Sequence, residues 1–342
     1  METNISPLST KDLFKSSWEF YKQNWKKIVY LFLPLEIVVL VSYAILDILP
    51  TNDSSLVILS IVVFTALAFI FKSLVQFVAL DAPRVVGGVV AGESVPQTKV
   101  WYKSVLKKIV PISIVLVLVG IANFTFLAFV ILGGGFIISA VAFLFKAVPL
   151  NSFAGVLVGI TTFVFVTYFA FKYVVRFFVG TSFSIYTYIF EGRTGLDAVT
   201  TSFLITKGNR FKVFWNLVLI WLVTLIPSVV LVFPINLSIL IAHFGDIFYQ
   251  ATVLHQEPVL PESPLYVSLL LDIAASVATL ISTSLLVVFN YFLWRGVRSN
   301  SVSFAEGEYN KTRKMLRSLV TLGIVLIVIV LAITLVGTFI SW

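Results

Sequence analysis

The sequence predicts an all-α, polytopic transmembrane helix bundle of about seven spans, and three observations carry that prediction. Hydrophobic residues make up 59% of the chain and charged residues 12%, with a mean hydropathy of +1.04, a composition foreign to an ordinary water-soluble surface. Apolar runs of the roughly 20 residues needed to cross a bilayer recur near 28–49, 56–80, 109–131, 153–175, 213–242, 265–294 and 319–342. Basic residues gather on alternate connections, 22 of the 24 Lys and Arg falling within 1–27, 83–108, 172–212 and 295–317.

Residues 1–27 read as a cytoplasmic amphipathic basic helix with no cleavable signal. Ser9 and Asp12 open it as a hydroxyl followed three residues later by an acid, the spacing of a helix start. Phe14, Trp18, Tyr21, Trp25 and Ile28 fall at steps of four and three on one stripe, with Lys11, Lys15, Lys22 and Lys26 on a second. Such a helix suits a headgroup layer, lysines toward lipid phosphate; packing of the stripe on the protein's own spans fits the same pattern.

The first span carries Glu36 and the second Lys72, each nine residues from the basic or acidic residue that ends its span. Isolated charges at that depth are costly, so the two are expected to form an intramembrane ion pair, with a snorkelling Lys72 and a neutral Glu36 as the rival. Ser94 and Gln97 mark the start of the next basic helix, which leads into the third span. Gly133-Gly134-Gly135 is expected to break that span, leaving 133–152 as a hairpin too short to cross. Thr194 with Asp197, and Ser303 with Glu306, mark the remaining helix starts before the fifth and seventh spans.

Orientation follows from charge. Basic residues near span ends stay cytoplasmic, which places all four basic segments inside, with the N-terminus, and the C-terminus outside. Asp47, Asp53, Asp246, Glu257, Glu262 and Asp272 fall on the opposite side. Trp25, Tyr30, Trp101, Trp294 and Trp342 lie at the ends of apolar runs, as interfacial aromatic residues do.

The basic segments also repeat. Ser17, Lys22, Asn24 and Lys27 recur at identical spacing as Ser202, Lys207, Asn209 and Lys212, each set leading into a span, with Trp18 matched by Phe203. This predicts a unit of amphipathic cytoplasmic helix plus two spans, used three times and followed by one more helix and span. In domain terms, 1–27 is the basic helix, 28–300 a six-span membrane domain with internal repeats, and 301–342 an amphipathic helix with an additional span. Asn24 and Asn209 are expected to cap the short helices where the chain turns into the bilayer.

The stretches Tyr186 to Gly192, Leu196-Asp197-Ala198-Val199 and Ser202 to Asn209 resemble the YciC-like proteins and the related membrane domain of glycerophosphoryl diester phosphodiesterases, six-span modules. The stretch Ser17 to Pro34 is similar too. The likeness covers roughly residues 10–300 in architecture and implies the six-span core. The span at 319–342 departs from the family, and without a phosphodiesterase domain that activity is not implied.

Chemistry-bearing motifs are sparse. His243 and His255 sit with acids in an outer loop but lack the helix-face spacing of a metal site, and read as solvated. No phosphate loop, dinucleotide glycine pattern or nucleophile elbow occurs. Asn123, Asn216, Asn290 and Gln76 lie within spans as inter-helix glue, and Pro34, Pro111, Pro227 and Pro234 as kinks or breaks. The expectation is therefore a non-enzymatic protein of the plasma membrane, without cofactor, catalytic site or metal, organising lipids or partner proteins through its basic interfacial helices. Its partners are expected to be membrane lipids with anionic headgroups on the cytoplasmic side and a membrane protein, not nucleic acid. The alternative is a transporter or channel with a path at the repeat interface.

Overall fold

Long apolar runs leave the backbone no water to bond with, so each satisfies its own N–H and C=O groups as a helix. The computed structural model describes residues 9–48, 55–147, 152–242, 244, 265–301 and 304–340. These form α1 (Thr10–Ile48), α2 (Ser55–Val90), α3 (Thr98–Ala147), α4 (Ser152–Thr181), α5 (Ser184–Glu191), α6 (Gly195–Ile205), α7 (Arg210–Leu231), α8 (Phe233–Ala242), α9 (Leu265–Ser299) and α10 (Glu306–Ile340), with no strand among the described residues. Seven helices are long and apolar enough to cross a membrane, as the run lengths predict. Asp53, His243, Asp246, His255, Glu257, Glu262, Ser303 and Trp342 lie outside the described residues.

Several boundaries differ from the sequence expectation, each for a local reason. The basic segment and the span after it are one unbroken helix in α1 and in α3, but separate helices at α6 and α7. The two repeat copies show why. Gln23 stands in the first where Gly208 stands in the second, and Gly208 takes φ +91°, a left-handed conformation that glycine adopts freely and glutamine does not. Asn24 therefore caps nothing: it lies inside α1, its Nδ2 donating to the Phe20 carbonyl at 3.1 Å. Asn209 does not end α6 either but starts α7, its carbonyl accepting from Val213 N at 2.9 Å.

Gly133 to Gly135 do not break α3, which runs on to Ala147, so 133–147 is helix and not one arm of a short hairpin. Glycine costs about 1 kcal/mol per helical position relative to alanine, a penalty that long apolar flanks override where no water competes for the backbone. The expected fifth span, 213–242, is instead divided at Val232. Pro234 lacks the N–H that would continue the ladder, whereas Pro34, Pro111 and Pro227 lie inside unbroken helices.

The chain forms two compact units. The first comprises Ser9–Lys107 and Leu217–Leu293. Within it α1 packs along α2 and meets α9 through Phe14 on Phe289 (ring centroids 5.0 Å apart), Phe20 on Phe292 (5.6 Å) and a 2.9 Å hydrogen bond between the Tyr21 and Ser284 hydroxyls. Trp101 is buried, and its indole Nε1 donates to Asp81 at 3.1 Å. The second unit comprises Lys108–Asn216 and residues from Trp294 on. Its core is Ala122, Phe177, Val199, Leu316 and Val320, with Phe126 and Phe203 packed against it.

Candidate functional site

The predicted ion pair belongs to the first unit. Glu36 is buried at 5% exposure while Lys72 is exposed. No ion pair shorter than 4.0 Å joins the two among the described residues. On the amphipathic part of α1 the apolar stripe divides. Tyr21 and Ile28 are buried and Phe14 packs on α9, whereas Trp18 and Trp25 are 44% and 46% exposed. Lys22 lies 5.7 Å from the Trp18 ring and Lys26 5.8 Å from the Trp25 ring. Lys11, Lys15, Lys26 and Lys27 are all exposed. Ser17 is buried, like its counterpart Ser202.

In the second unit the repeat residues take part in something larger. Ser202 fastens α6 to the end of α4: its Oγ donates to the Gly180 carbonyl at 2.8 Å and accepts from Phe183 N at 3.0 Å. Thr187 Oγ1 donates to the Ala198 carbonyl at 2.8 Å, fixing α5 on α6. The Phe203 ring lies directly over Gly180, where a Cβ would stand only 2.6 Å from Phe203 Cε2. Arg210 follows from this placement. Its guanidinium sits 4.0 Å from the Phe203 ring centroid and Nη2 donates to the Phe203 carbonyl at 2.9 Å, so the charge is held in one place by cation–π and hydrogen-bond contacts together.

α10 docks on α6 by polar contacts that the helix-start reading does not anticipate. Thr194 occupies the N-cap of α6 without a side-chain capping bond, and Asp197, read as its capping partner, faces α10 instead. Asp197 Oδ1 accepts from the Tyr309 hydroxyl at 3.0 Å and from Arg313 Nε at 2.9 Å. Lys207 forms an ion pair with Glu308, and Arg298 Nε pairs with Glu191 at 2.9 Å. The expected start at Ser94 also shifts, since Trp101 N bonds to the Gln97 carbonyl and α3 begins at Thr98.

These attachments border an open cavity of about 930 Å³ lined by α3, α4, α6, α7 and α10. Its floor is apolar and aromatic, including Phe126, Phe129, Phe177, Phe203 and Leu319, with Phe126 stacked on Phe177 at 4.3 Å. Its charged lining holds four cations, Arg176, Lys207, Arg210 and Lys311, against one acid, Glu308. Arg176 and Arg210 also share a smaller neighbouring cavity of about 200 Å³ with Lys172. Two like charges beside one apolar surface attract an anion. No family model, curated protein or solved structure matches this chain. The residues of the cavity therefore carry the functional argument by themselves.

Of the cavity's cations, only Lys207 belongs to the repeat motif. Arg176, Arg210 and Lys311 escaped the sequence reading because they lie on three different helices and count there only as cytoplasmic charge. One signal was available: Lys172 and Arg176 fall one helical turn apart at the end of a 20-residue stretch, 152–171, that holds no charge, and a cation at the edge of such a run is a functional candidate. Among the described residues no group of three or more His, Asp and Glu is placed to hold a metal.

Proposed function

We propose that this chain is a non-enzymatic, multi-pass protein of the plasma membrane that holds anionic phospholipid at its cytoplasmic face and organises lipid or partner proteins there. The single observation that carries the reading is the cavity in which Arg176, Lys207, Arg210 and Lys311 stand over an aromatic floor. A phospholipid presents the complementary pair of features, an anionic phosphate joined to an apolar body. Arginine binds phosphate through a planar fork of donors, and aromatic rings supply apolar area beside it. The distribution of Lys and Arg supports a cytoplasmic N-terminus and an outer C-terminus. The resemblance to the YciC-like family is part of the same proposal and rests on the α5–α6 residues described above.

The test is retention of lipid by the purified full chain. Neutralising Arg176, Arg210 and Lys311 to Gln removes three surface-near charges, each contributing about 1 kcal/mol to attraction for anionic lipid, so anionic lipid retained relative to phosphatidylcholine should fall by roughly a hundredfold. Neutralising Lys11, Lys15, Lys22 and Lys26 should lower it less, because those lysines are exposed and stand outside this cavity. Equal retention by the cavity variant and the wild type would refute the proposal.

A further inference from the structure

A second cavity, of about 580 Å³, lies along the hairpin formed by α3 and α4. Gly133, Gly134 and Ile137 line it from α3, and Thr161, Phe165 and Phe169 from α4. Phe126, Phe129 and Tyr173 line both this cavity and the cationic one, so the two adjoin at those rings. The hairpin arms run antiparallel, since Phe126 stacks on Phe177 while Val166 approaches Gly134. The second cavity therefore leads away from Arg176 toward the C-terminal part of α3 and the N-terminal part of α4.

Of the three consecutive glycines, Gly133 and Gly134 line this space. Each costs the helix about 1 kcal/mol relative to alanine, yet only Gly134 is held by packing, a Cβ there meeting Val166 Cγ1 at 3.3 Å. At Gly133 and Gly135 a Cβ would meet nothing within 4 Å. Packing thus explains one glycine of three, and the open apolar space beside Gly133 explains a second. From Phe126 to Ile137 the groove follows α3 for roughly 16 Å at about 1.5 Å per residue. That is close to half of the approximately 30 Å hydrocarbon thickness, the depth reached by a chain in one leaflet.

We infer that the α3–α4 groove is an acyl-chain slot, occupied by one chain of the same anionic phospholipid whose phosphate lies among Arg176, Arg210 and Lys311. The inference rests on the lipid-binding reading above and deepens it by assigning a separate determinant to each end of the ligand. The cations select the headgroup. The groove selects the chain, and the missing side chain at Gly133 keeps its far end open.

The experiment uses the full chain reconstituted with equimolar phosphatidylglycerol and phosphatidylcholine, each supplied as long-chain and short-chain species, with bound lipids counted by native mass spectrometry. Gly133→Leu fills the groove without altering any cation. The wild-type preference for long-chain over short-chain phosphatidylglycerol should fall about tenfold, equivalent to two buried methylenes at about 0.8 kcal/mol each. Gly133→Ala, which favours the helix and adds one methyl group into open space, should fold as the wild type does and lower the preference by a smaller factor. An unchanged chain-length preference in both variants, with phosphatidylglycerol still enriched over phosphatidylcholine, overturns the slot and leaves the headgroup reading standing. A wild-type protein that shows no such enrichment overturns the headgroup reading and the inference with it.

Discussion

The crossing of α3 and α10 gives a sharp test of the second unit. Gly323 is buried, and a Cβ placed on it would overlap Thr125 Oγ1 and stand 2.5 Å from Ile121 Cγ2. Small residues let helix backbones approach closely, the usual basis of helix association in membranes. Replacing Gly323 with Ala should favour helix by about 1 kcal/mol. Against this, the Ile121 contact must open by about 1 Å to reach normal carbon–carbon separation, and overpacking of this kind costs about 1–3 kcal/mol. Thr125 cannot simply turn away, because it is fully buried and its hydroxyl donates to the Ile121 carbonyl at 2.7 Å. With both neighbours in collision the cost lies toward the upper end of that range, leaving a net loss of about 1–2 kcal/mol. Thermal unfolding of the purified chain in detergent should show a midpoint a few degrees lower for Gly323→Ala, with partial recovery when Thr125→Ala is added. A midpoint equal to or above that of the wild type would mean that the two helices do not meet at residue 323.

Three further outcomes are expected. Glu36→Gln and Lys72→Met should each lower stability in detergent while the double variant recovers part of the loss, because a buried charge without its counter-charge is the costly state; strictly additive losses would argue against electrostatic coupling of the two. Gly208→Ala should cost about 1–2 kcal/mol from the left-handed backbone it must adopt, whereas Gln23→Gly at the matching place in α1 should cost only about 1 kcal/mol of helix propensity; equal effects would contradict the different backbones of the two repeat copies. Cysteine introduced at Ser263 should react with an impermeant thiol reagent on intact cells, and at exposed Ser94 only after the cells are opened; the reverse pattern would invert the membrane orientation.

The seven long apolar helices were legible because hydrophobic length is a property of consecutive residues. What escaped was set by single positions. Gly133 to Gly135 read as a break because glycine is judged against a watery alternative that an apolar stretch does not offer, while Pro234 does break its run because the lost N–H is lost in any solvent. The repeat was legible as spacing, but its two copies part at Gln23 and Gly208, a residue outside the matched set. Asp197 was recognisable as an acid near a helix start, and its actual partners, Tyr309 and Arg313, lie more than a hundred residues away. The cavity was illegible for the same reason, since its cations come from α4, the α6–α7 turn, the start of α7 and α10, and no local pattern unites them.

The place of α10 in the chain bears on how the protein is made. Gly307, Glu308, Lys311, Met315 and Leu319 form one wall of the cationic cavity, and α10 is the final helix among the described residues. Translation delivers it after α3, α4, α6 and α7, so a nascent chain that holds only those helices lacks this wall of the cavity. Asp197 and Lys207 wait on α6 and in the turn after it until Tyr309, Arg313 and Glu308 emerge to meet them. The cavity thus forms only once residues 307–319 have been made, and a chain stalled before residue 306 has most of its apolar helices without it.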